Sequence, residues 1–182
     1  MKQFGASRQI IQKYLTNTIS NNLNCTGKYE FNEQNKSSYI SKIEFLCDGK
    51  HSEVFYMNCE FEIKVHFKSK ITIDYPLLGI ILYDNYNTPL LFFNNKNYQG
   101  NLVSSPVKEG AIIVKFPNLP LMSGIYNMDI YFSNLHSDLD VKKNVFQFKV
   151  EQRHFSDKGE MLNEKYNKFF IKDIRWNTEI KN

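Results

Sequence analysis

Histidine is the side chain that most often binds metals or transfers protons in proteins, and its spacing here favours neither role. The four histidines, His51, His66, His136 and His154, form no His-X-His or His-X-X-X-His pair. Such pairs place two imidazoles on one side of a strand or a helix, which is the arrangement that a metal site commonly uses. The sequence therefore predicts no metal centre and no cofactor.

Carboxylates are the second group that could act on a substrate. A glycosidase needs two carboxyl groups on opposite sides of the scissile bond. Glu60 and Glu62 instead lie on one predicted strand face, with no second carboxylate placed opposite them. No P-loop, GxGxxG or GxSxG motif is present. The polar run 134–140 lacks the tight-turn glycine of a calcium loop, so we predict a solvated loop there and a domain without catalytic activity.

The bulk composition is that of one globular domain with no pattern for nucleic acid. The chain has 182 residues, of which 42% are hydrophobic and 15% aromatic, and a net charge of +4. Basic residues are interspersed with acidic ones, so we expect no nucleic-acid partner. No apolar run approaches the roughly 20 residues of a membrane span, and the first residues lack the apolar core of a signal peptide. We therefore expect a cytoplasmic domain with free, mostly buried cysteines; in an oxidising compartment Cys47 and Cys59 could instead be bridged.

Changes in the spacing of apolar residues along the chain divide it into three predicted segments. Residues 1–37 are predicted to form a short helix over 6–20, where apolar residues recur at helical spacing, and then a polar linker. Residues 38–151 carry the domain. Residues 152–182 are predicted to form a polar hinge and a last strand at 169–171.

From about residue 40 onward apolar and polar residues alternate, which is the period of a half-buried strand. The predicted strands lie at residues 40–46, 59–68, 77–83, 90–93, 111–116, 125–132, 145–150 and 169–171. No helical pattern separates them, and parallel sheets need crossover helices. The sequence therefore predicts an all-β fold, an immunoglobulin-like antiparallel β-sandwich. Tyr126 follows a turn and is either the tyrosine of a tyrosine corner or an ordinary core residue.

The outward positions of three neighbouring strands offer a mixture that suits sugar recognition. Sugars are bound by flat aromatic faces and by amides and carboxylates that pair with hydroxyls. Period two points one set of polar and aromatic side chains away from the core, on strands that an immunoglobulin-type order makes neighbours. The candidate carbohydrate-binding residues are Ile81, Tyr83, Asn127, Asp129, Tyr131 and Gln147. Two other interpretations remain open, a protein contact or tyrosines that only cover an exposed sheet, and Lys64, His66 and Lys68 on the opposite sheet are the next candidates.

Four segments, taken in order, resemble one known family. They are residues 40–46 (ISKIEFL), 78–84 (LGIILYD), 114–126 (VKFPNLPLMSGIY) and 146–150 (FQFKV). Together they are similar to the C-terminal domain of Wzt, the ATPase subunit of ABC transporters that export O-antigen polysaccharide. The resemblance covers residues 38–151.

The resemblance implies a non-catalytic domain that docks the terminally modified end of a lipid-linked O-antigen glycan before export. It implies as partners the ATPase domain and the transmembrane subunit of the transporter, which would hold the domain in the cytoplasm at the inner face of the inner membrane. It also implies a homodimer formed by exchange of a C-terminal strand, here residues 168–174. The alternative is an immunoglobulin-like protein-interaction domain that does not bind sugar.

Overall fold

Alternating residues build ten strands in the computed structural model, which describes residues 27–97, 105–153 and 168–169. The strands are β1 (Lys28–Glu30), β2 (Ser38–Cys47), β3 (Lys50–His51), β4 (Val54–Tyr56), β5 (Phe61–Ile73), β6 (Leu77–Asp84), β7 (Pro89–Asn94), β8 (Val107–Phe116), β9 (Gly124–Ser133) and β10 (Asp138–Glu151). The described residues contain no helix that is long and apolar enough to cross a membrane.

The strands form two five-stranded sheets. The first has the order β1-β2-β5-β8, with β3 paired to β2, and the second has the order β4-β10-β9-β6-β7. The pairs are antiparallel except that β4 runs parallel to β10, with Val54 opposite Lys149. The predicted all-β, sandwich-type fold is thus confirmed, as is the position of β9 between β6 and β10. The parallel pair is a feature that the alternating pattern did not predict.

The core lies between the two sheets and is built from the period-two positions. In β5, Phe61, Ile63, Val65 and Phe67 are buried, while the residues between them are more exposed. In β9 the buried series is Tyr126, Met128, Ile130 and Phe132. The rings of Phe67 and Phe132 stack across the gap, with centroids 4.7 Å apart. Each such side chain contributes about 1.5–3 kcal/mol on burial, so this interface is the main source of stability.

Tyr126 forms a tyrosine corner, which was one of the two roles predicted for it; the other was that of an ordinary core residue. Its hydroxyl donates a hydrogen bond of 2.7 Å to the main-chain carbonyl of Met122, four residues earlier. The bond is buried and fixes the turn that leads into β9. The corner thus anchors the start of β9, which is the central strand of its sheet.

A partly buried ion network joins the polar segment before β2 to the start of β10. The carboxylate of Asp140 lies 2.8 Å from Lys36 Nζ and 3.0 Å from Lys142 Nζ, and it accepts a hydrogen bond from the amide of Ile40. Burial by itself raises the pKa of Asp140, but these hydrogen bonds outweigh it and hold the pKa below its usual value. The prediction of a solvated loop at 134–140 is wrong for Asp140, because β10 already begins at Asp138 and carries Asp140 into the interior.

The ends of the chain are described only in part. The helix predicted over 6–20 lies outside the described residues, and β1 falls within the stretch predicted as linker. Of the predicted last strand only Phe169 is described. It forms an antiparallel bridge with Leu121, and Met122 donates its amide hydrogen to the carbonyl of Lys168. The cysteines at 47 and 59 are free and buried, as predicted.

Candidate functional site

The register of the second sheet brings the six candidate residues onto one outer surface. Ile81 lies opposite Asp129 and Tyr83 opposite Asn127 in the β6–β9 pair, and Gln147 lies opposite Asn127 in the β9–β10 pair. We call this surface the tyrosine face. It consists of Ile81, Tyr83, Asn127, Asp129, Tyr131 and Gln147.

Asp129 is the hub of the tyrosine face and is only 5% exposed although it points away from the core. Its Oδ2 accepts hydrogen bonds from the hydroxyls of Tyr83 at 3.1 Å and Tyr131 at 3.4 Å. Its Oδ1 accepts a bond of 2.8 Å from the amide of Asn144. Both carboxylate oxygens are thus occupied by protein donors, and the carboxylate acts as a brace that orients the two tyrosines.

A β-bulge in β10 supplies the third donor to Asp129. Ile130 pairs with Lys142 and Met128 pairs with Phe146, so the three residues 143–145 lie opposite the single residue Asp129. Asn144 adopts a left-handed backbone with φ of 49°, a conformation that asparagine tolerates better than most residues. The bulge turns the Asn144 amide toward the carboxylate, which an unbroken ladder would instead direct at the neighbouring strand.

A row of amides extends the face on the other side of Tyr83. Gln147 Nε2 donates a hydrogen bond of 3.0 Å to Asn127 Oδ1, and Asn127 Nδ2 contacts Asn87 Oδ1 at 3.4 Å. Asn87 belongs to the β6–β7 turn and has a φ of 61°. Amides carry both donors and acceptors, so this row can pair with hydroxyl groups of either orientation.

The hydroxyl of Tyr83 stays a donor at neutral pH. Burial raises the pKa of Tyr83, and the hydrogen bond and negative charge of Asp129 raise it further. Tyr131 has a second neighbour, because Lys143 Nζ lies 5.9 Å from the centre of its ring. A ligand that stacks on that side of Tyr131 has to displace this exposed lysine.

A shallow cleft of about 360 Å³ adjoins the tyrosine face and was not found from the sequence. Gly79 forms its floor between two aromatic residues: a Cβ at Gly79 would lie 3.6 Å from Phe92 Cε2 and 3.7 Å from Tyr131 Cβ. Phe92 is 56% exposed. Lys96 and Asp138 line the cleft as charged groups. Gly79 and Phe92 occupy outward positions of their strands, and this could have been inferred from the sequence. Because β6 is apolar on both faces, however, its sequence does not show which of its residues line a cleft.

The tyrosine face lacks the pair of facing carboxylates that glycoside hydrolysis needs. Its partly exposed aromatic faces are of the kind that stack on the C–H patches of a pyranose ring, and its amide row is of the kind that pairs with hydroxyls. A larger cavity of about 430 Å³ lies between the edge strands β7 and β8. Its lining is mainly apolar and includes Phe93, Ile112 and Phe116, so it offers few partners for hydroxyl groups.

Comparisons with known proteins bear on the fold and the family of the chain. A family model described as the Wzt C-terminal domain matches residues 32–161. The crystal structure of the C-terminal domain of Wzt is similar to this chain with a TM-score of 0.64 and 12% sequence identity, over 83% of this chain and 87% of that chain. No curated protein matches the chain.

Two further solved structures are less similar. A Niemann-Pick type C2 protein from Japanese carpenter ant gives a TM-score of 0.43 at 14% identity, over 65% of this chain and 94% of that chain. A β-glucuronidase of glycoside hydrolase family 2 gives 0.39 at 10% identity, over 59% of this chain and 12% of that chain. At these TM-scores neither likeness supports an argument about this chain.

Proposed function

Because the chain belongs to the Wzt C-terminal domain family, we propose that it is a non-catalytic polysaccharide-binding domain that recognises the end of a lipid-linked O-antigen glycan. We place the binding surface on the tyrosine face and the adjoining cleft. The family is that of a non-catalytic domain of an ABC transporter, and the proposed step is recognition of the finished glycan before export. In this proposal Tyr83, Tyr131 and Phe92 supply stacking surfaces, and Asn127 and Gln147 bind hydroxyls.

The observation that carries the proposal is the preorganisation of this surface. Two tyrosine hydroxyls converge on one carboxylate, and an amide row continues directly from them. Side chains that are already held by hydrogen bonds lose little conformational freedom when a ligand binds, which preserves affinity on a shallow surface. A face that buries one or two sugars gains only a few kcal/mol net, so we expect a dissociation constant of roughly 0.1–1 mM.

The test is glycan titration with a matched pair of variants. Tyr131→Ala removes a stacking surface on the tyrosine face, and Ile113→Ala removes a more exposed side chain, 50% accessible, on the outer face of the first sheet. We expect a loss of binding of tenfold or more, about 1.4 kcal/mol, for Tyr131→Ala and no change for Ile113→Ala. If only Ile113→Ala weakens binding, the site lies on the first sheet, where Lys64 lies opposite Ile113.

The proposed partners are the ATPase domain and the transmembrane subunit of the transporter, at the inner face of the inner membrane, and a second copy of this chain. The bridge between Phe169 and Leu121 supports a docking role for the C-terminal segment. Deleting residues 160–182 should convert a dimer to a monomer or an aggregating species, measured by light scattering. A truncated protein that remains a well-behaved dimer refutes strand exchange.

A protein-interaction domain without sugar binding is the second candidate function. Phe92 and Ile113 are exposed apolar residues beside the cavity between β7 and β8, and such surfaces often contact proteins. A glycan array with the purified domain separates the two functions, because the second predicts no saturable signal for any glycan.

A further inference from the structure

Two thiols and a carboxylate meet at the end of the sandwich where β2 stops. Cys47, Asp48 and Cys59 each offer a ligand atom, and these three atoms all lie within 4.8 Å of one another. Cys47 and Cys59 are 7% and 1% exposed, whereas Asp48 is exposed. Cys47 and Cys59 also belong to the hydrophobic core, whereas the tyrosine face includes none of the three residues. We call them the thiol cluster.

Main-chain hydrogen bonds fix the geometry of the thiol cluster. Cys47 is the last residue of β2, and Asp48 and Gly49 form a two-residue turn with φ of 49° and 77°. The Asp48 amide donates to the carbonyl of Glu60, and the Glu60 amide donates back to Asp48 Oδ1 at 3.0 Å. The carbonyl of Cys59 accepts a bond of 2.9 Å from the amide of Leu119. All three ligand residues are therefore held without a metal.

From this geometry we propose that the thiol cluster is a binding site for a thiophilic divalent metal ion, with zinc as the preferred ion. Two thiolates and one carboxylate are a donor set that zinc accepts, with a fourth position left for water. At zinc–ligand distances of about 2.0–2.3 Å, two tetrahedral ligand atoms lie roughly 3.5–3.8 Å apart. Because no two of these atoms are more than 4.8 Å apart, the thiol cluster has to close by no more than about 1.3 Å to reach these distances.

The charges around the site suit a metal bound by three anions. Two thiolates and a carboxylate carry three negative charges, and a divalent ion leaves one of them uncompensated. Arg153 supplies the remaining positive charge, since its Nη2 lies 3.0 Å from Asp48 Oδ2.

Only the thiolate form of cysteine is a metal ligand, so a bound metal ion displaces the protons of the thiols that it binds. Proton release on metal binding is therefore a readout of coordination by Cys47 and Cys59.

The experiment titrates cobalt and then zinc into the full chain with Cys25→Ser, reduced with a non-thiol reductant and freed of metal. In this background Cys47 and Cys59 are the remaining cysteines. We expect one equivalent of cobalt to give a thiolate-to-cobalt charge-transfer band and the visible bands of tetrahedral cobalt. Zinc should abolish both, release protons and raise the melting temperature.

Two variants keep the test decisive. Cys59→Ser should abolish the cobalt bands, and circular dichroism establishes whether it is folded. Asp48→Asn changes an exposed side chain and so keeps the fold, and it should weaken cobalt binding by tenfold or more. The proposal is wrong if the folded, reduced protein shows no charge-transfer band, if the band persists unchanged in Asp48→Asn, or if the two thiols form a disulfide in the presence of the reductant. None of these outcomes depends on whether the tyrosine face binds sugar.

Discussion

Replacing Asp129 with alanine tests the brace beneath the tyrosine face. The change removes the acceptor of three hydrogen bonds, from Tyr83, Tyr131 and the amide of Asn144. The two tyrosine hydroxyls can turn toward water. The Asn144 amide is fixed by the bulge and loses its acceptor, at a cost of about 1–3 kcal/mol. Adding roughly 1 kcal/mol for the better-formed Tyr83 bond gives an expected loss of about 2–4 kcal/mol in the free energy of unfolding.

Asp129→Asn is the matched control for this prediction. The amide keeps an oxygen for Asn144 and removes the charge, so its loss should be about 1 kcal/mol. Urea denaturation followed by circular dichroism measures both variants, provided the slope with denaturant is unchanged. A loss below about 1 kcal/mol for Asp129→Ala would refute the brace. The same result bears on glycan titration, since a variant that destabilises the sheet cannot separate binding from folding. Tyr131→Ala is therefore the better probe of the sugar site.

Three further predictions concern other parts of the fold. Gly79→Ala places a methyl group in ordinary contact with the cleft walls, so it should weaken glycan binding in titration while leaving the melting temperature unchanged or slightly higher. Tyr126→Phe orphans the carbonyl of Met122 and should cost about 1–3 kcal/mol in urea denaturation; a loss near zero would show that the tyrosine corner contributes only packing. The lowered pKa of Asp140 stabilises the fold above the ordinary aspartate value, near pH 4, and this stabilisation is lost as the pH falls through the lowered pKa. Asp140→Asn should therefore be less stable at neutral pH but should lose less stability on acidification than the control Asp138→Asn, as followed by melting temperature from pH 7 to about pH 3.

The inward and outward sides of the strands could be predicted from the sequence because alternation is a local property. Met128 and Ile130 are buried, and their neighbours Asn127 and Tyr131 are partly exposed on the other face, as expected. The neighbour relation of β6, β9 and β10 followed from the sandwich type. These two facts suffice to place the six candidate residues on one face.

The details that give the site its chemistry depend on contacts between distant residues and were not predictable. The bulge that turns the Asn144 amide toward Asp129 appears only when β10 is aligned with β9. The burial of Asp129 follows from the side chains that surround it, not from its position in the alternation. The strand β4 has only three residues, which is too few to show an alternation of apolar and polar residues. Its parallel pairing with β10 could therefore not be predicted from the sequence.

That parallel pair has a consequence for how the chain folds during synthesis. It joins residues 54–56 to residues 149–151, so β4 has no partner until the last strand of the second sheet has been made. The ion network adds a second long closure, between Lys36 and Asp140. Contacts between such distant residues slow folding, because a long loop must close before any of them forms. We expect the nascent domain to stay protease-sensitive until residue 151 has left the ribosome tunnel, and then to become protected in a single late step.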